Sequence, residues 1–160
     1  MNATIAAVHA NLESGATTSR ALVQTCIDRA TAASGEGART FVRVFAKSAI
    51  AEAEAIDRRR QAVIWTGPLG GIPISVKDLF DIRGIRTTAG SVLLADAAPA
   101  SADAIVVARL RAAGAVIIGR TNMTEFAFSG LVSLKPIDPK RSGRAKSQSA
   151  DLPRRKIGLP

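Results

Sequence analysis

The N-terminal part of the chain repeats apolar residues at helical spacing. Ile5, Val8 and Leu12 follow one another at i, i+3 and i+7, which predicts a short amphipathic helix ending before Gly15. A second helix is predicted after the capping residues Thr17–Ser19, and the glycines at positions 35 and 37 end it. Its apolar stripe consists of Leu22, Val23, Cys26, Ile27 and Ala30.

A strand and a third helix follow. The segment TFVRVFAK alternates and is rich in β-branched and aromatic residues, so a strand is predicted over Thr40–Ala46. The third helix ends in the triplet Arg58–Arg60, which suits the negative end of the helix dipole. Such a triplet is more typical of a solvated helix end than of a nucleic-acid patch. The apolar positions of this helix are Ala49, Ile50, Ala53 and Ile56.

From residue 70 the pattern changes to alternating strand and helix. GIPISVKDLF predicts a strand, and FDIRGIRTTAGS is predicted to continue as strand and turn. SADAIVVARLRAAG predicts a helix with a cap at Ser101 or Asp103 and a stop at Gly114. AVIIG is a short, wholly apolar strand. This order predicts a parallel βαβ unit whose second strand is buried on both faces.

The regular pattern ends soon after this unit. Asn122 is predicted to begin a further helix, with Glu125 completing an asparagine version of the capping box. After Leu131 no periodicity remains, and the last 29 residues carry 8 Lys/Arg and 2 Asp/Glu, a net charge of +6 out of +9 for the whole chain. We therefore expect an α/β domain over 1–131 and a basic, disordered tail over 132–160.

Lys77 is unusual because it stands near the end of an apolar strand. Side-chain alternation places Ile74 and Val76 on one face and Ser75 and Lys77 on the other. In a central strand the amine enters a poorly solvated space, where its neutral form is favoured and can act as a general base. In an edge strand the same lysine is a solvated residue that blocks edge pairing. Strand position alone leaves both interpretations open.

Other chemistries are less well supported. His9 is the only histidine and Cys26 the only cysteine, so neither a histidine-based triad nor a zinc site is indicated. Asp78 and Asp81 are more typical of a turn or solvated end than of an acid/base pair. No phosphate-binding glycine motif, signal peptide or apolar run of the ~20 residues that span a bilayer is present, and with its single cysteine the chain is predicted to be cytoplasmic.

The motifs between Gly67 and Gly130 resemble those of amidase-signature enzymes. GPLGGIPISVKDLFDIRGIRTTAGS, followed by ASADAIVVARLRAAGAVIIGRTNMTEFAFSG, is similar to the N-terminal part of bacterial amidases and of the glutamine-hydrolysing A subunit of tRNA-dependent amidotransferase. The resemblance implies part of the family's α/β fold, in which N-terminal helices precede a mixed sheet flanked by helices. The implied activity is hydrolysis of a small amide to acid and ammonia without metal or organic cofactor.

The resemblance also implies roles for individual residues. Lys77 matches the family's catalytic lysine, which relays a proton through a serine in a cis peptide and so activates a nucleophilic serine. A glycine-rich loop then holds the oxyanion. Thr121, Asn122 and Met123 match residues that border the active site and are weaker candidates for substrate binding. A helix cap explains Asn122 equally well, and Met123 fits a core position.

The two family serines have no counterpart in this sequence. The serines after Leu131 lie in no matching context, and a local dyad of Ser75 with Lys77 is geometrically feasible but less favoured. The chain is therefore expected to be inactive alone and poorly soluble, because apolar strands lack their cover. A shifted reading frame after Leu131 is one hypothesis for the change there, and the coding DNA would test it.

The sequence is compatible with three functions. The first is an amidase or a fragment of one, with the amidotransferase A subunit as the close alternative. The second is a module that binds nucleic acid or another acidic partner through its basic tail, although no aromatic residue is interleaved there. The third is a remnant without activity of its own. The sequence indicates no membrane association and no oligomeric state.

Overall fold

The described residues, 4–128, form five α-helices, three β-strands and two short 3₁₀ helices in a computed structural model. The α-helices are α1 Ile5–Glu13, α2 Ser19–Thr31, α3 Gly37–Thr40, α4 Ala46–Gln61 and α5 Ile105–Ala112. The strands are β1 Phe41–Val44, β2 Pro73–Lys77 and β3 Val116–Thr121, and the 3₁₀ helices are Val92–Leu94 and Glu125–Ala127. This confirms the predicted mixed α/β class.

The three strands form one mixed sheet in the order β1-β3-β2. β2 and β3 are parallel and are joined through α5, which is the predicted βαβ unit. β1 pairs antiparallel with the other side of β3. As the apolar run AVIIG predicts, β3 is the central strand, and every residue from Val116 to Arg120 is buried.

Two apolar clusters cover the two faces of β3. One packs α2 and α4 against Val116 and Ile118 of β3. The other packs α5 and the loop after β2 against Ile117. Ile74 and Val76 belong to this second cluster, whereas Ser75 and Lys77 are exposed on the opposite face. The predicted alternation of β2 is therefore confirmed.

A partly buried arginine, Arg60, fixes the turn that leads into β2. Arg60 donates from Nη2 to the carbonyl of Gly70 at 2.7 Å and from Nη1 to Ser19 Oγ at 3.2 Å. Asp57, one turn earlier in α4, accepts the backbone N–H of Ser19 at 2.8 Å. The triplet at the end of α4 is thus only partly a solvated helix end, because Arg60 joins α4 to the start of α2 and to the turn before β2.

Two local predictions are wrong at the helix starts. α5 begins after Ala104 without a side-chain cap, because Asp103 instead accepts the backbone N–H of Arg83 and pairs with Arg111. No α-helix begins at Asn122 either: Thr124 precedes a single 3₁₀ turn.

Two further differences concern loops. The segment FDIRGIRTTAGS forms turns and bends rather than a strand, because the buried Arg120 of β3 binds the carbonyl groups of Phe80 and Arg86. The four-residue α3 was not predicted, since it is too short to show a periodicity and is stabilised by a turn in which Thr40 N–H bonds to the carbonyl of Glu36.

Two other predictions concern membrane spans and the C-terminal tail. Among residues 4–128, no helix combines the length and the apolar character that a membrane span requires. The predicted tail, 132–160, lies outside the described residues.

Candidate active site

The candidate site lies at the carboxyl ends of the two parallel strands. Lys77 ends β2 and is paired in register with Thr121, the last residue of β3. The backbone N–H of Asp78 donates to the carbonyl of Thr121 at 3.0 Å and so continues the pairing one residue further. Ligands of open α/β sheets bind preferentially at this end of the strands, where the loops leave the sheet.

The side chain of Lys77 is exposed. β2 is an edge strand of the sheet that residues 4–128 form, and the apolar cluster that α2 and α4 build on β3 contains neither Ser75 nor Lys77. Within this part of the chain the lysine makes no ion pair and no side-chain hydrogen bond, and none joins it to Ser75. The amine is therefore positioned by its strand and is available to groups that approach from outside residues 4–128.

Directly behind Lys77, a buried ion pair fixes the end of β2. Arg120 Nη1 lies 3.1 Å from Asp78 Oδ1, and the two side chains are 2% and 3% exposed. The carboxylate of Asp78 also accepts both the backbone N–H and the hydroxyl of Thr88. Asp78 is therefore not the solvated turn residue that the sequence suggested, because its side chain is buried and each of its oxygens has a partner.

Arg120 binds the loop that follows Lys77 along much of its length. Its guanidinium donates to the carbonyl groups of Phe80 and Arg86 and, at 3.1 Å, to Thr87 Oγ1. Burial lowers the pKa of Arg120, and the neighbouring Asp78 carboxylate opposes that change. The side chain thus anchors the backbone between residues 78 and 88 and holds the exit from β2 in one conformation.

A second loop packs against the first. Ser91 is buried and donates from Oγ to Glu125 Oε1 at 2.6 Å, and the backbone N–H of Phe126 bonds to the carbonyl of Ala89 at 2.8 Å. Gly90 fits here because it has a φ of +69° and because a Cβ would lie only 2.8 Å from the carbonyl oxygen of Met123. The TTAGS turn, residues 87–91, therefore lies against the segment that follows β3.

The remaining predicted site residues have different environments. Thr121 is half-buried beside Lys77. Asn122 lies against the end of α3, since its backbone N–H bonds to the carbonyl of Thr40 and its Nδ2 to the carbonyl of Arg39, while its Oδ1 accepts the backbone N–H of Met123. Met123 is 7% exposed and packs in the interior. Only Thr121 is placed next to the lysine in the strand register.

Sequence reasoning did not identify Arg120 as a site residue. A signal was present, because Arg120 is a charged residue in an otherwise apolar strand, AVIIGRT, as Lys77 is in GIPISVK. A buried strand carries a charge only if a partner compensates it. The partner, Asp78, is 42 positions away in sequence, and its proximity to Arg120 depends on the parallel pairing of β2 with β3.

Outside this region, the described residues offer no competing centre. His9 lies on α1 with its Nε2 3.9 Å from Glu13 Oε1. Cys26 lines an apolar groove between α2 and β1, and burial raises the pKa of its thiol. No group of three or more histidine, cysteine, aspartate and glutamate side chains in residues 4–128 is arranged to hold a metal ion.

Comparison with known sequences gives a consistent result. The model of the Amidase family matches residues 21–143, a range that includes the start of the predicted tail. The A subunit of glutamyl-tRNA(Gln) amidotransferase from Salinispora arenicola is 40% identical over 125 residues, 78% of this chain and 25% of that protein. The 1-carboxybiuret hydrolase subunit AtzE of Pseudomonas sp. is 54% identical over 78 residues, 49% of this chain and 17% of that protein.

The fold leads to the same group of proteins. The peptide amidase of Stenotrophomonas maltophilia superposes with a TM-score of 0.70 at 35% identity, over 78% of this chain and 26% of that structure. The chain therefore spans about a quarter of the length of the relatives it matches over most of its own length.

Proposed function

The chain belongs to the amidase family, and we propose that it carries the general base of an amide-hydrolysing site, the amine of Lys77. The observation that supports this role most directly is the position of Lys77. It ends a strand whose exit is fixed by a buried ion pair, yet its own side chain is exposed and engages no described residue. A solvated lysine that only blocked pairing at the sheet edge would not need such a rigid support.

The proposed chemistry is acyl transfer to a serine. The neutral amine of Lys77 takes a proton from one serine hydroxyl, which in turn takes the proton of the nucleophilic serine as that oxygen attacks the amide carbonyl. The proton returns to the leaving nitrogen, which departs as ammonia, and water then releases the acid. Both serines come from outside residues 4–128, in line with their absence from the motifs of this sequence.

A closed site is part of this proposal. Lys77 is exposed to water in the described part of the chain, whereas general bases of this kind work in sites from which water is excluded. The segment that supplies the serines therefore has a second task, which is to exclude water from the amine. The same segment brings its hydroxyl groups within reach of the amine.

Arg120 and Asp78 are proposed as positioning residues for this base. They bind the carbonyl groups of Phe80 and Arg86 and the backbone N–H of Thr88, not the reacting atoms. Fixing this turn holds the Cα of Lys77 and hence the origin of its flexible side chain. Thr121, beside the lysine, is proposed to border the substrate, whereas Asn122 and Met123 are proposed to shape the wall behind it.

A carboxylic amide is the substrate class, and glutamine is a specific second candidate. The relative from Salinispora arenicola is an A subunit of glutamyl-tRNA(Gln) amidotransferase, and its identity of 40% extends over 78% of this chain. Simple amides and glutamine are therefore tested side by side.

The experiment is a chimera in which residues 1–131 replace the matching part of the Salinispora arenicola subunit. Ammonia release from glutamine and from simple amides is measured for the chimera and for its Lys77→Ala and Lys47→Ala variants. Loss of a general base lowers kcat/KM by about 10²–10⁴-fold. Lys47 is an exposed lysine on α4 and is the matched control. Equal rates for the two variants would contradict the proposal.

A further inference from the structure

Three consecutive large apolar side chains are exposed directly after α4. Val63, Ile64 and Trp65 are 93%, 52% and 71% exposed. Because such a run adds little to the core and promotes aggregation, it marks a site of interaction in a folded protein. We call Val63–Trp65 the apolar turn.

The apolar turn has a fixed conformation. α4 ends in a Schellman motif, in which the backbone N–H of Ile64 bonds to the carbonyl of Arg59 at 2.9 Å. The N–H of Val63 bonds to the carbonyl of Arg60, also at 2.9 Å. Arg59 Nη2 donates to the carbonyl of Trp65 at 2.7 Å. The three apolar side chains are therefore preorganised for a partner, which lowers the entropic cost of binding.

Val63 occupies a position that glycine normally takes. Its φ of +57° lies in the left-handed region, where a β-branched side chain is strained, and this position of a Schellman motif is usually glycine. Since the side chain is almost fully exposed, no burial within residues 4–128 offsets the strain. Backbone strain of this kind is concentrated at functional sites. The valine therefore serves a contact that residues 4–128 do not provide.

Uncompensated positive charge borders the apolar turn. Arg58 and Arg59 are exposed, and within residues 4–128 neither forms an ion pair. Arg59 also lines a cavity of about 260 Å³ between α4 and the start of β3. Arg111 and Glu52 line the same cavity but pair with each other at 3.4 Å, so the charge of Arg59 is the one left for a ligand there. A partner that fits this surface combines apolar with acidic side chains.

We propose that the apolar turn docks an amphipathic helix of a partner protein, one whose apolar stripe is bordered by carboxylates. Three backbone groups of the turn are already bonded within the chain, which favours recognition through side chains over strand pairing. A second copy of this chain, with a net charge of +9, would add repulsion rather than complementary charge. The cavity beside Arg59 admits a side chain of a partner protein, which a lipid surface does not supply.

This surface is separate from the candidate active site. The segment that follows the apolar turn bonds to the start of β3 through Gly71 N–H and the carbonyl of Gly114, at 2.9 Å. The apolar turn therefore lies towards the amino ends of β2 and β3, whereas Lys77 lies at their carboxyl ends. The docking is independent of the proposed hydrolysis, and either proposal can fail without the other.

Trp65 reports directly on this contact. It is the only tryptophan and the chain has no tyrosine, so the tryptophan emission of the full 160-residue chain comes from the apolar turn alone. The probe is a synthetic helix with leucine at i, i+3, i+4 and i+7 and with glutamate and alanine elsewhere. It is expected to shift the Trp65 emission to shorter wavelengths. A peptide with glutamine in place of glutamate is expected to bind about two- to tenfold more weakly, because exposed ion pairs are lost.

Val63→Gly separates binding from folding. Glycine relieves the strain, so the variant is expected to resist urea at least as well as the wild type but to bind the peptide about tenfold more weakly. Val92→Gly is the matched control, since it removes a valine that is 80% exposed elsewhere in the chain and leaves peptide binding unchanged. Trp65→Ser, followed with a labelled peptide, is expected to weaken binding at least about tenfold.

Several results would overturn the proposal. Failure of the peptide to bind contradicts it, and binding without a change in Trp65 emission would assign the peptide to residues 132–160. Equal losses of binding in Val63→Gly and Val92→Gly would make the contact nonspecific, and a lower resistance of Val63→Gly to urea would give the valine a role in folding. An emission shift with phosphatidylglycerol vesicles but not with the peptide would assign the turn to a membrane surface. Self-association that Trp65→Ser abolishes would assign it to a second copy.

Discussion

Arg120 Nη1 lies 3.1 Å from Asp78 Oδ1, and this pair joins the middle strand of the sheet to the residue that follows Lys77. The pair is almost fully excluded from water. Buried ion pairs contribute little net stability, because desolvation offsets much of the attraction, but removing one partner leaves an uncompensated charge. The pair therefore acts mainly on the geometry of the loop after β2.

Asp78→Ala is predicted to lower the free energy of unfolding by about 3–5 kcal/mol, because it leaves the Arg120 guanidinium buried without its carboxylate. Urea unfolding at low protein concentration measures the change. Glu52→Gln is the control, since it removes the partly exposed ion pair with Arg111, at 3.4 Å, and costs less than about 1 kcal/mol. Equal losses of unfolding free energy for the two substitutions would contradict the larger effect predicted for the buried pair.

Arg120→Met is predicted to loosen the loop after β2 more than the rest of the chain. The substitution removes the donors that hold the carbonyl groups of Phe80 and Arg86. Trypsin should then cut faster after Arg83 and Arg86, both of which are exposed. Cleavage after Arg58, at the end of α4, serves as the internal reference. A uniform increase at all three sites would indicate global unfolding rather than release of this loop.

Gly114→Ala is predicted to destabilise the chain more than Gly15→Ala. Both glycines have positive φ, +88° and +74°, so both substitutions carry the backbone strain of about 1 kcal/mol. At Gly114 a Cβ would also lie 2.1 Å from the carbonyl oxygen of Thr66, whereas at Gly15 nothing lies within 4 Å. We expect an additional loss of about 1–3 kcal/mol at Gly114 from overpacking, measured by urea unfolding.

Cys26 is predicted to make stability fall in alkaline solution. Burial raises the pKa of its thiol in the folded chain, and Arg29 opposes this only in part. Below the ordinary thiol pKa of about 8.5 both folded and unfolded chains are protonated, so the residue has no effect on the pH dependence. Above it, the unfolded chain ionises first and the free energy of unfolding declines.

The measurement is the free energy of unfolding of the wild type and of Cys26→Ser between about pH 7 and 10. All other titrating groups are common to the two proteins, so the difference between their slopes isolates the thiol. The wild type should lose stability more steeply over this range. Parallel curves would contradict the partial burial of the Cys26 side chain.

The regular elements were predictable because each depends on local periodicity. α1, α2 and α4 follow from apolar residues at helical spacing, and β3 from the uninterrupted run before Gly119. The parallel pairing of β2 with β3 also followed from the order of strand, helix and strand. In these segments the tertiary structure supports what the local sequence already favours.

The loops were not predictable because distant groups determine them. FDIRGIRTTAGS contains four β-branched residues, yet Arg120, on β3, binds two carbonyl groups that a strand would use for pairing. Asn122 looked like a cap, but its backbone N–H bonds to Thr40, far away in sequence. For the same reason the exposure of Lys77 depends on which strand lies at the sheet edge, and that order is not encoded within β2 itself.

The pairing of β2 with β3 skips one position, since Ile74 lies opposite Ile117 but Ser75 lies opposite Gly119. Arg120 already faces Arg43 across the sheet, and uninterrupted pairing from Ile74 would place Lys77 opposite Arg120 as well. Three positive side chains would then stand in one row, and adjacent like charges repel. The additional residue of β3 moves Lys77 one step along the strand, opposite the neutral Thr121, and so separates its amine from the guanidinium of Arg120.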